Sequence, residues 1–319
     1  MSDNWICPAA GTVDGKAGSA WHTDDMEMEA EAQGFFEALQ QRICDGLEAE
    51  DGSGRFRSDR WQRPGGGGGL SRVLTDGTLF EKAGVNSSSV HGELKPDFAA
   101  SLPGDGLAFF ATGVSLVLHP KSPRVPTVHA NFRCLRRGAA LWFGGGADLT
   151  PYYPEREDVE HFHRTWKTVC DRHDPGYYAR FKKWCDEYFY LPHRGETRGV
   201  GGIFFDQLQR DLGRDFAFVR DAGDAFLEAY LPIVRRRKGE PWSEDERQFQ
   251  LLRRGRYVEF NLLFDRGTVF GLKTDGRTES ILMSLPPLAR WEYDARFAEG
   301  SREADLVHWL KPRDWLAGG

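Results

Sequence analysis

The sequence predicts an α+β fold in one domain: a large antiparallel sheet flanked by helices. Three observations predict it. Runs with a two-residue apolar alternation follow one another across short turns, as hairpins do, and are not separated by the helices a parallel sheet requires. Segments with helical spacing gather before and after those runs. No internal repeat and no clear linker divides the 319 residues, a length that gives one domain a substantial core.

Taken in order, residues 1–25 are polar and Gly/Ala-rich and read as a mobile tail; its limit is placed at residue 30, with the catalytic domain over 31–319. Phe36, Leu39, Ile43 and Leu47 fall at helical spacing. Gly65 to Gly69 is a five-glycine run without the Gly-Lys-Ser/Thr ending of a phosphate loop, so it reads as a flexible flap or a close backbone approach. Strands are predicted over Leu107–Leu118 and Thr127–Leu135, joined by a Pro-rich turn from His119 to Pro126. Another, Ala139–Phe143, ends in Gly144-Gly145-Gly146. Helices are predicted over Glu155–Arg172 and Pro175–Leu191, then a short strand at Ile203–Phe205. Ala222–Lys238 and Ser243–Arg254 read as helices, and Tyr257–Phe264 with Thr268–Lys273 as a hairpin across Asp265-Arg266-Gly267.

Composition narrows the function classes. A 40% apolar and 28% charged chain is that of a globular protein, and no apolar run approaches the length that spans a bilayer. The N-terminus has neither the basic start and apolar core of a secretory signal nor an Arg-rich character, so a cytoplasmic location is expected. Cys7, Cys44, Cys134, Cys170 and Cys185 form no C-x-x-C pair and read as reduced, mostly buried thiols. A net charge of −6 argues against general nucleic-acid binding, and it means that an anionic ligand must be held by local cations. Ten Trp and 22 Phe read as a large aromatic core, with a flat apolar ligand as the alternative for some of them.

In a strand, side chains two apart share a face. Thr127, His129, Asn131 and Arg133 therefore stand together, opposite Val128, Ala130, Phe132 and Cys134. Ser115, Val117 and His119 share a face on the preceding run. A solvated sheet face usually carries Lys, Glu and Thr; this one lacks long acidic or Lys side chains, which favours a ligand over water. Asp148, two residues after a glycine run that lets the backbone approach closely, could accept hydrogen bonds from N–H donors or simply form a turn before Thr150-Pro151. On the helix from Glu155, His163 lies at the edge of the apolar stripe and should point inward, with His161 outward. An inward histidine is more often a hydrogen-bonded core residue than a ligand, and the same holds for His193. Arg277, at a turn, could meet an anion; Arg235-Arg236-Arg237-Lys238 suits the end of a helix dipole.

The blocks Val114–Pro120, Pro126–Arg133, Trp142–Pro151, Lys183–Phe189, Gly201–Asp206, Tyr257–Asn261 and Ser284–Pro286 together resemble the oxygen-dependent coproporphyrinogen-III oxidases, in family order over more than two-thirds of the chain. The resemblance implies oxidative decarboxylation of coproporphyrinogen III to protoporphyrinogen IX, with O2 as co-substrate, two CO2 released and no organic cofactor. It places substrate contacts on Ser115, on Asn131, Phe132 and Arg133, and on Asp275, Gly276 and Arg277. It makes His129 a proton donor, Asp148 the acid that holds pyrrole N–H groups, and Arg133 the partner of the reacting propionate. Some members are described with a divalent metal, for which the matching ligands are His119, His129, His163 and His193. The strip Tyr257 to Glu292 matches a homodimerisation region. Asp275 departs from many relatives, which have Gly, and puts an extra negative charge near a propionate unless it points away. Two other readings stay open: a His-ligated metal oxygenase acting on another substrate, and a tetrapyrrole carrier that does no chemistry.

Overall fold

The computed structural model describes residues 23–273 and 276–317. The tail reading of residues 1–22 and the Asp275 reading lie outside them. In order, the elements are α1 (Thr23–Asp51), β1 (Arg57–Gln62), β2 (Gly67–Thr75), β3 (Phe80–Glu93), α2 (Pro96–Ala99), β4 (Ala108–Pro120), β5 (Thr127–Arg137) and β6 (Ala140–Thr150). Then come α3 (Arg156–His173), α4 (Tyr177–Tyr188), β7 (Tyr190–Leu191), β8 (Glu196–Thr197), β9 (Gly201–Leu208), α5 (Leu212–Asp224) and α6 (Phe226–Arg237). The last are α7 (Glu244–Leu263), α8 (Arg266–Lys273), α9 (Thr278–Leu282) and α10 (Arg302–Trp309). Residues 23–30, taken with the tail in the sequence, are helical.

Seven strands form one sheet in the order β1-β2-β3-β4-β5-β6-β9, every neighbouring pair antiparallel. The α+β, one-domain reading holds. The alternation along β4 and β5 sorts side chains as expected: Val114, Leu116, Leu118, Val128, Ala130, Phe132 and Cys134 are buried on one face. There they join one core with Phe36, Leu39 and Ile43 of α1, Phe162 and Trp166 of α3, and Phe226 and Tyr230 of α6. Each such large apolar side chain contributes roughly 1.5–3 kcal/mol through burial. That fixes the register, because a one-residue slip would put the polar set into the core.

The structure departs from the sequence reading in three places. Tyr257–Lys273 is not a hairpin: α7 runs through Leu263 and α8 follows. Ser243 and Glu246 close a capping box at the start of α7, and Phe249, Leu252 and Phe260 bury one face of it. Asp265 is no turn residue either, since its carboxylate accepts from the Thr268 backbone N–H at 2.7 Å and caps α8. The two-residue alternation there is a coincidence of a mixed helix face. Ala222–Lys238 breaks at Ala225 into α5 and α6. Finally, the glycine runs belong to strands. Gly144 to Gly146 continue β6, and Gly67 to Gly69 begin β2, where the indole of Trp61 lies so close that a Cβ on Gly69 would be 2.5 Å from its ring. Close approach, not a flap, explains the five-glycine run.

Candidate functional site

The second face of the sheet is built from small residues. One row across the strands reads Asn86, Ser115, Asn131, Gly146, Phe204; the next reads Ser88, Gly113, Arg133, Gly144. A third reads Gly84, Val117, His129, Asp148, Gly202. Side chains this short leave a shelf between taller walls. At one end Phe109 packs with Leu94 and Ala99 under α2. At the other, Met283 lies over Gly84, where a Cβ would be 3.1 Å from its sulfur. Phe204 and Tyr188 stack at 4.2 Å along the β9 side. On the opposite side Ser280 meets Ser71, their hydroxyl oxygens 2.7 Å apart, and Arg277 pairs with Asp59 on β1.

Four of the expected residues stand on this face in two pairs, Arg133 with Asn131 and His129 with Asp148. Arg133 reaches the Asn131 side-chain oxygen from Nη1 at 3.0 Å and Asp206 from Nη2 at 2.9 Å. His129 Nδ1 lies 2.8 Å from Asp148 Oδ1. A carboxylate can only accept, so Nδ1 carries the proton and Nε2 is the ring nitrogen left for chemistry.

Asp148 is 1% exposed, and Arg198 grips it with Nε to Oδ2 at 2.9 Å and Nη2 to Oδ1 at 2.8 Å. Arg198 is itself buried; its Nη1 donates to Asn261 Oδ1 at 2.8 Å. Its guanidinium carbon sits 4.1 Å from the ring centre of Phe189, 4.7 Å from Tyr257 and 4.8 Å from Phe260. Burial by itself would raise the Asp148 pKa, but the Arg198 charge and the His129 hydrogen bond overcome it and hold the carboxyl at about 2. Asp148 is therefore a fixed anion whose two oxygens are both engaged. Beside it on the same face stands His129, held through Nδ1.

The remaining expected residues are placed as follows. Ser115 lies at the centre of the shelf beside Asn131. Phe132 is wholly buried on the opposite face, so its side chain is part of the core and does not face the shelf. The Gly276 backbone N–H donates to Gly271 O at 2.8 Å, beside Arg277. The four histidines that match metal ligands are not brought together. His119 is buried with Nε2 donating to Ser284 O at 2.9 Å and Nδ1 facing the Thr127 hydroxyl at 3.3 Å. His163 points inward, as its place on the helix predicts, but between the Tyr178 hydroxyl at 2.9 Å and Val200 O at 3.1 Å. His193 pairs with Glu259 at 2.8 Å. Among the described residues no three His, Cys, Asp or Glu side chains are grouped to hold a metal ion, so this donor set does not fit one. His161, expected outward, lies at the surface against Glu228 O.

Sequence reasoning missed Arg198, Asn261 and Asp206. Arg198 sits in a segment without strand alternation, and Asn261 in one read as a hairpin strand that is in fact part of α7. Asp206 ends the Gly-Ile-Phe-Phe-Asp block, whose two phenylalanines draw the eye to packing. The only available signal was charge balance: a buried Asp148 demands a cation, and an Arg133 facing the same shelf invites an anion.

No described helix is long and apolar enough to cross a membrane. A family model described as coproporphyrinogen III oxidase matches residues 31–315.

Proposed function

The chain belongs to the coproporphyrinogen III oxidase family, and from that premise we propose that it converts two propionates of coproporphyrinogen III to vinyl groups with O2 as the oxidant. The observation that carries this reading is the shelf itself. Arg133, Asn131 and His129 stand two residues apart on one strand, beside Ser115, Gly113, Gly144 and Gly146 of the neighbouring strands.

The electron count defines the task. Loss of CO2 and one β-hydrogen from a propionate leaves two electrons, which O2 accepts: propionate, O2 and one proton give vinyl, CO2 and H2O2. The described cysteines Cys44, Cys134, Cys170 and Cys185 are buried, and burial keeps their thiols protonated, with Cys44 and Cys170 pushed up to about 12. In this proposal O2 takes its electrons from the macrocycle, whose pyrroles are electron-rich. Arg133 holds the reacting carboxylate through charge-assisted hydrogen bonds and fixes its orientation. His129 Nε2 exchanges the proton, and Asp148, gripped by Arg198, holds the imidazole in that tautomer.

A second copy of the chain covers the strip from Tyr257 to Glu292 in this proposal. Leu262, Leu263, Leu272, Leu288 and Trp291 are 44–61% exposed there, large apolar side chains that a second copy would remove from water.

The test is an assay with coproporphyrinogen III under air and under strict anaerobiosis, reading fluorescent protoporphyrin after oxidation. Vinyl product only under air supports the reading, and Arg133→Ala should lower turnover by about 100-fold, the usual effect of removing one charge-stabilising group. Tight binding without turnover would point to a carrier instead. Activity that follows added iron or copper would point to a metal oxygenase.

A further inference from the structure

Two arginine–aspartate pairs face the shelf, and they are built differently. Arg198 and Asp148 are 2% and 1% exposed and joined by two hydrogen bonds. Arg133 and Asp206 are 28% and 20% exposed and meet through one contact at 2.9 Å. The first pair is permanent, because separating it would strand a charge away from water. The second is half-open to solvent, so that water can take up the charges when it parts.

The second pair is also purpose-shaped. Asp206 sits where the β6–β9 register shifts, just before Gln207, whose left-handed backbone (φ 55°) lets its own N–H donate to Asp206 Oδ1 at 3.0 Å. That tether turns Oδ2 toward Arg133. Gly144 leaves the room: a Cβ there would be 2.5 Å from Asp206 Oδ1 and 2.9 Å from Arg133 Nε. Below the pair, the Phe204 ring centre lies 5.9 Å from the guanidinium carbon and leaves the Arg133 charge without water on that side.

We propose that Asp206 is a stand-in carboxylate that occupies Arg133 while the site is empty, yields it to a ligand propionate, and takes it back once that propionate has become a vinyl group. This rests on the functional reading above, in which Arg133 receives the reacting carboxylate. One guanidinium cannot hold both anions without pressing like charges together, so the arriving propionate displaces Asp206 into solvent. When CO2 leaves, the anion at Arg133 is gone. Asp206 then closes on Arg133 and favours release of that side chain. The residue thus sets how strongly the site prefers a propionate over a vinyl group at this position.

Asp206→Asn keeps the shape and removes the competing charge. Titration of the oxidised, unreactive rings coproporphyrin III and protoporphyrin IX, followed by tryptophan fluorescence quenching, reads the effect. Relative to the natural protein, the ratio of the two dissociation constants should shift toward coproporphyrin by about tenfold, one charge-assisted contact's worth, and the shift should shrink at high salt. Asp206→Ala should move the ratio in the same direction, and unchanged urea midpoints would show both variants folded. An unchanged ratio overturns the proposal. So does weaker coproporphyrin binding in the Asn variant, which would make Asp206 a fixed support for Arg133. If the natural protein binds coproporphyrin no better than protoporphyrin and turns over neither reduced ring, the underlying functional reading has failed with it.

Discussion

Asp148 keeps its negative charge out of water because three donors reach it together, two from Arg198 and one from His129. The arrangement explains a division of labour between the two acidic side chains of the site: a buried one that orients an imidazole and a half-open one that trades places with ligand. Arg198→Leu should be severe, costing about 3–5 kcal/mol in urea unfolding, because it leaves the Asp148 carboxylate buried without its cation. Arg198→Lys retains the charge but cannot span both oxygens and reach Asn261 as well. It should fold, keep its KM, and lose kcat, since His129 is no longer held in place; a rise in KM with kcat intact would show that Arg198 acts on binding instead. Asp148 was legible in the sequence as an acid beside a glycine run, while its partner Arg198 lies 50 residues away in a segment with no periodic pattern.

At the scale of elements, β4 and β5 were legible because their two faces differ in chemistry and one is buried, whereas β6 was read only to Phe143 because three glycines follow. The strands β1 to β3 were not, since Asp59, Arg60, the glycine run and Ser87-Ser88-Ser89 dilute any alternation. α7 was misread past Arg254 because Val258, Phe260 and Leu262 alternate with Glu259 and Asn261, a strand-like stretch inside a helix. What settles the matter is its start, where Ser243 accepts from the Glu246 backbone N–H and Glu246 returns the bond to the Ser243 N–H at 2.8 Å. Ser243→Ala should therefore cost about 1 kcal/mol of stability while turnover stays unchanged. A shift indistinguishable from zero would mean that the helix draws its stability entirely from packing.

Across the whole molecule, burial of titratable groups makes folding sensitive to acid in two stages. His119 and His163 are buried as neutral rings; burial first, then nearby cations, push both below the ordinary value, His163 to about 3. The unfolded chain takes up these protons below about pH 6.5, so stability is lost as pH falls from there, by roughly 1.4 kcal/mol per pH unit for each histidine. The carboxyls of Asp148 and Glu259 are held down at about 2 against burial, Asp148 chiefly by the Arg198 charge and Glu259 chiefly by its Arg194 hydrogen bond. Their contribution is complete above about pH 4.5 and is lost as pH falls toward 2. Urea midpoints recorded from pH 7 to 3 should decline steadily below 6.5, and His163→Gln should flatten that slope. A flat profile down to pH 4.5 would contradict the buried, neutral state of these rings.

The sequence by itself determined which strand faces are dry and which carry polar groups, because side-chain alternation is a steric property of the local backbone and survives in any fold that uses the strand. It also determined the family, through blocks long enough to be specific. Only the tertiary structure decided who neutralises whom. Arg198 to Asp148 and Asp206 to Arg133 are contacts between distant segments, set by the order in which strands are laid side by side and by how deeply each pair ends up from water. That depth separates a fixed charge from an exchangeable one, and periodicity along a single chain carries no record of it.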